Sequence, residues 1–212
     1  MYAFIRLKLI VLLGLTLISN VTMAQVGNNE NVLNPNLADE SQLAAASGLS
    51  DDLAAAIIAA RPLENNLELD ALLGKSLDDT GKAQLRAVLF LPINLNSASE
   101  DEVRLVPGIS QKMAYEFDDY KPYSTLEQFR REIGKYVDDD EVARFEQYVF
   151  VPMDLNSASS DDFSTIPGMT KRMVYEFEEY RPYTSMEQFR REIGKYVDQN
   201  EVARLERYVT IN

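Results

Sequence analysis

The residues whose types and spacing could do chemistry sit in two turns. Val106-Pro107-Gly108-Ile109-Ser110-Gln111-Lys112-Met113 returns about 60 positions later as Ile166-Pro167-Gly168-Met169-Thr170-Lys171-Arg172-Met173. Each puts a Pro-Gly turn in front of a helix whose first turn carries cations. Such a turn either grips nucleic acid or is only a packing device. Composition narrows the alternatives. There is no Cys and no His, so disulfides, thiolate nucleophiles and imidazole metal ligands are excluded. No spacing of Ser with Lys, or of paired carboxylates, suggests a pocket. No catalytic residue, metal or cofactor is therefore assigned, and the chain is not expected to be an enzyme.

The elements that must hold these turns are readable from repetition. Asn36, Asn96 and Asn156 fall in phase, as do Gly48, Gly108 and Gly168, then Pro62, Pro122 and Pro182, then Gly74, Gly134 and Gly194. The match between Glu127–Asp138 and Glu187–Asp198 is unbroken. Within a copy, Ser99 with Glu102, or Ser159 with Asp162, reads as a capping box opening a short helix that Pro107-Gly108 stops. Ser110 caps a second helix, with Met113, Phe117 and Tyr120 on one face. Ser124 with Glu127 caps a third, ended by Gly134 in a left-handed conformation, and Asp138 with Glu141 caps a fourth. The corresponding pairs in the last copy are Thr184/Glu187 and Asp198/Glu201. Nothing alternates at period two apart from short extended connectors such as Leu91-Pro92-Ile93-Asn94. The expected fold is all-α: three tandem units of about four short helices each, over 36–91 (degenerate), 92–151 and 152–212.

Residues 1–24 read as a cleavable export signal, with Arg6 and Lys8, an apolar run from Leu9 to Ile18, and small residues before a cut after Ala24. The mature chain would then have no membrane span and work in the periplasm or outside the cell. Residues 25–35 are polar and read as a flexible arm. The formal net charge is −13, and losing Arg6 and Lys8 with the leader takes −13 to −15. Such a chain repels a polyanion at long range. The last copy is the least acidic.

The run Asn94-Leu95-Asn96-Ser97-Ala98-Ser99, a short helix, Pro107-Gly108-Ile109 and a basic-apolar helix resembles the helix-hairpin-helix repeat of the ComEA-type competence DNA receptors. The later segment from Tyr123 to Phe129 resembles the second half of that domain. The resemblance covers nearly all of the chain after the leader, most closely in the last two copies. It implies an exported protein that binds double-stranded DNA without reading its sequence, in DNA uptake. Relatives of the fold also serve as protein-protein modules. In such a hairpin, backbone N–H groups and the positive end of a helix dipole hold a phosphate. Carried onto matching positions, the phosphate-facing residues would be Gly108, Ile109, Ser110 and Lys112, and Gly168, Met169, Thr170, Lys171 and Arg172.

The chain departs from the family at Ser110 and Thr170, where a second glycine is usual. Gly48-Leu49-Ser50-Asp51-Asp52 puts carboxylates where cations are wanted, so the first copy is not expected to bind DNA. The Gly168 hairpin ranks first. Arg130, Arg131 and Lys135, and their counterparts Arg190, Arg191 and Lys195, read as a basic patch or as partners of nearby glutamates, with pairing slightly favoured. Two functions stay open: weak, salt-dependent binding to the duplex DNA backbone, or docking of envelope proteins on the same hairpins.

Overall fold

The computed structural model describes residues 25–29 and 31–212. The export signal read from the sequence lies outside them. Within them the chain is mostly helical. The first helices are Glu40–Ala45 (α1), Asp51–Ala59 (α2), Asn66–Leu73 (α3) and Asp79–Arg86 (α4). After the strand Ile93–Asn94 (β1) come Glu100–Val103 (α5), Gln111–Asp119 (α6), Leu126–Ile133 (α7) and Asp139–Glu146 (α8). The strands Val149–Phe150 (β2) and Met153–Asp154 (β3) precede Ser160–Ser164 (α9), Lys171–Glu179 (α10), Met186–Ile193 (α11) and Gln199–Glu206 (α12), and Val209–Thr210 (β4) closes the chain.

Short polar caps start these helices, because the first backbone N–H groups of a helix lack internal acceptors. Ser110 accepts from the Met113 N–H at 3.2 Å, and Asp138 from the Glu141 N–H at 2.9 Å. Three expected caps differ. The caps of α7 and α11 are Thr125 and Ser185, not Ser124 and Thr184. Gln128 and Gln188, rather than Glu127 and Glu187, bond back to the N–H of Ser124 and Thr184. The capping box is complete at Ser159/Asp162 but half-made at Ser99. There the Glu102 carboxylate turns away to the N–H and side-chain amide of Asn66. Gly134 ends α7 at φ −60°, right-handed rather than left-handed.

The extended connectors are not idle. Ile93 pairs with Val149 and Met153 with Val209, both in parallel, and Leu33 makes a parallel bridge to Leu89. Residues 25–29 and 31–35 are correspondingly not a free arm. Val26 and Val32 are buried, and the Val151 N–H donates to the Gln25 carbonyl at 2.9 Å. The valines in this otherwise polar stretch supply the apolar anchor.

Among the described residues, buried side chains form three clusters. In one, Phe117 meets Phe129 and Phe145 edge-to-face at 5.0 and 5.4 Å, a geometry favoured by the ring quadrupole. The clusters do not respect the sequence boundaries. Val32 and Phe90 pack with the residues of 93–151, and Val26 and Phe150 with those of 153–209. Each interlocks its neighbour. Asn36, Asn96 and Asn156 make one recurring bridge, their side-chain amides donating to the carbonyls of Leu63, Tyr123 and Tyr183. The N–H of the same three residues donates back to the asparagine oxygens.

Candidate phosphate-grip turns

Between α5 and α6, and again between α9 and α10, the chain must reverse within a few residues. Gly108 and Gly168 do this at φ +71° and +74°, where a side chain would be strained. The N–H of Ile109 closes onto the Val106 carbonyl at 3.1 Å, and that of Met169 onto Ile166 at 3.0 Å. Ser110 and Thr170 then turn extended, and their hydroxyls accept from Met113 and Met173. The hydroxyls are thus spent on their own helices. Among the described residues, the N–H groups of Ser110, Gln111 and Lys112 have no acceptor, nor do those of Thr170, Lys171 and Arg172. These are outward-facing donors at the positive end of a helix dipole.

Both turns carry a cation that the sequence reading missed. Arg144, from the last turn of α8, donates from Nη1 to the Pro107 carbonyl, while Nε and Nη2 hold Glu141 at 2.6 Å. Arg204 of α12 does the same to Pro167 at 2.5 Å and to Glu201. The hydrogen bonds from Arg144 hold the Glu141 carboxyl below the usual carboxylate range. Glu141, four positions into the acidic run that starts at Asp138, is in this way a positioning group for the arginine. The only sequence signal was an acid three residues before an arginine in copies two and three. The first copy has Gln84 at the matching position.

The predicted cations are placed less favourably. Lys112 lies over the Tyr136 ring, 5.2 Å from its centre. Arg172 lies over Tyr196 at 5.2 Å and reaches Glu176 at 3.8 Å. Lys171 is exposed and, among the described residues, has no carboxylate at ion-pair distance. The denser basic clusters are paired with carboxylates. Arg130 and Arg190 each make a two-pronged pair, with Glu146 and Glu206. Arg131 and Lys135 converge on Glu132, and Arg191 and Lys195 on Glu192. Hydrogen bonds from Lys135 and then Arg131 push the Glu132 carboxyl down, and Lys195 and Arg191 do the same to Glu192. The hydroxyls of Tyr120 and Tyr136 meet at 2.9 Å, which raises Tyr136, with Glu116 adding to the rise.

The three turns differ in what faces the glycine. A first side-chain carbon on Gly48 would meet nothing within 4 Å. On Gly108 its nearest neighbours would be the atoms of the Arg144 guanidinium, at 3.3 Å. On Gly168 it would meet both terminal methyls of Leu37 at 3.2 Å, and then Arg204 at 3.5 Å. The Arg144 side chain keeps 31% of its surface exposed, whereas Arg204 keeps 4%. The Gly168 hairpin, ranked first from sequence, is therefore the more obstructed one, and the Gly108 hairpin the more open. No family model, no curated protein and no solved structure matches this chain. Among the described residues, no helix is long and apolar enough to cross a membrane.

Proposed function

We propose that the chain is an exported array of three helix-hairpin-helix units, of the ComEA type it resembles, that binds the backbone of double-stranded DNA without reading sequence. The observation that carries this is the Gly108 turn. Three N–H donors without acceptors stand beside it, and the guanidinium of Arg144 lies across it. Such a grip fits one phosphate and has no access to base edges. The charge, −13 over the whole sequence and −15 without Arg6 and Lys8, removes long-range steering, so binding depends on contact and falls steeply with salt. Residues 25–212 should retard a random duplex at about 10 µM protein in low salt and release it near physiological ionic strength. Gly108→Glu should abolish this. Absence of any retardation by wild type at low salt would sink the reading.

A second reading, docking of envelope proteins, is favoured by one observation. The Gly168 turn already holds an apolar side chain, Leu37, from elsewhere in the chain. Recovery of a specific envelope protein by wild type, lost with Gly108→Glu, would favour this over DNA.

A further inference from the structure

We infer that the first, degenerate helical unit is a built-in mask for the third: Leu37 sits on the Gly168 turn and withholds it, leaving Gly108 as the one cationic turn open at rest. This deepens the proposed DNA-binding role and rests on it. Leu37 stands at the position that Ser97 and Ser157 occupy in the other copies, immediately after the bridging asparagine. A serine there would be too short to fill the same space. The leucine is 37% exposed, so most of its surface is covered, and its methyls lie where a side chain on Gly168 would go. That is the face a sugar-phosphate backbone must approach.

A second, independent observation is the contrast between the two arginines. They make the same bonds to proline and glutamate, yet Arg204 is buried and Arg144 is a third exposed. Covering a guanidinium to this degree removes it from any solvent-borne anion. The masking segment is firmly based. Asn34 and Pro35 are buried, and Leu33 is bonded to the backbone at Val88 and Phe90. The first unit's own turn has Asp51 and Asp52 after Ser50 and no arginine, so it gains nothing for DNA by being free. Separation of the first unit from the third uncovers Gly168 and Arg204 beside Lys171, which is already exposed.

The test uses residues 25–212 as wild type, Leu37→Ser, and Leu37→Ser with Gly168→Glu. It reads the Gly168 amide by two-dimensional NMR and the affinity for a short random duplex at low salt. Leu37→Ser should move the Gly168 amide resonance, leave that of Gly108 in place, and tighten duplex binding by about tenfold, as one more phosphate contact would. Gly168→Glu in that background should return the affinity to wild type. A Gly168 amide that ignores Leu37→Ser removes the contact and the proposal with it. A shifted amide with unchanged affinity, in a protein that still binds through Gly108, overturns the mask but not the DNA-binding role. If neither protein binds duplex with the Gly168 turn uncovered, both readings fall.

Discussion

Arg144 and Arg204 make the same hydrogen bonds in different dielectric surroundings, and that difference is measurable. A charged group removed from water must keep its partners, and breaking such a set costs more than breaking an exposed one. Arg204→Ala leaves the Pro167 carbonyl without its donor and the partly exposed Glu201 carboxylate without its cation, and should cost about 2 kcal/mol. Arg144→Ala, a third exposed, should cost about 1 kcal/mol. Urea unfolding of the two variants gives the comparison, and equal losses would contradict the burial difference. The glycines, Ser110, Thr170 and their cations were legible as a hairpin from residue type and spacing alone. The arginines were not, because each contacts a proline 37 positions away and reads locally as an ordinary acid-base pair on a helix.

At the level of elements, the cap residues marked the starts of α5, α6, α8, α9 and α12, and where they misled the reason is local. Ser124 and Thr125 are both cap-forming types, followed by Glu127 and Gln128. The backbone chose Thr125, at φ −149°, because the neutral Gln128 side chain satisfies the Ser124 N–H. Glu102 has the spacing of a partner for its own cap, but it serves α3, whose first residue Asn66 is buried. A partner 36 residues away is invisible to a window of one helix. The bridging asparagines were visible only as a phase marker. Their function is to tie the start of each repeat to the residue after its proline. Asn156→Ala removes two such bonds, at 2.9 and 2.7 Å, and should lower stability by about 2 kcal/mol in thermal or urea unfolding.

The whole molecule gathers these carboxylates into a pH response. Glu132, Glu141 and Glu192 all have folded values held below the ordinary range by their cations. The stability they contribute is complete above the unfolded glutamate value of about 4.3 and is lost as pH falls through the lowered folded values. Lys135 and Lys195 are raised by the same pairs, so their share is complete below the ordinary lysine value of about 10.4 and is lost above it. The urea midpoint should therefore be flat between about pH 5 and 10 and fall on both sides. A decline setting in on acidification through pH 6 would be incompatible with these pairs, since no histidine is present to titrate there. The periodic glycines and prolines made the sequence repeat legible, while the clusters cross its boundaries. What repetition could not disclose is how the copies touch. The Leu37 contact, the sharing of Phe90 and Phe150 across boundaries, and a cleft of about 630 Å³ walled by Asn36, Glu102 and Arg207 all depend on residues that break the repeat or lie far apart in the chain.

The parallel pairing of Ile93 with Val149 and of Met153 with Val209 has a mechanical consequence. In each pair the earlier strand leads into a set of helices and the later one leads out, and both run in the same direction. Tension applied along the chain therefore pulls the two strands past each other. Their hydrogen bonds are loaded together in shear rather than peeled one at a time, so force transmitted through the chain meets its greatest resistance along the line of the strands.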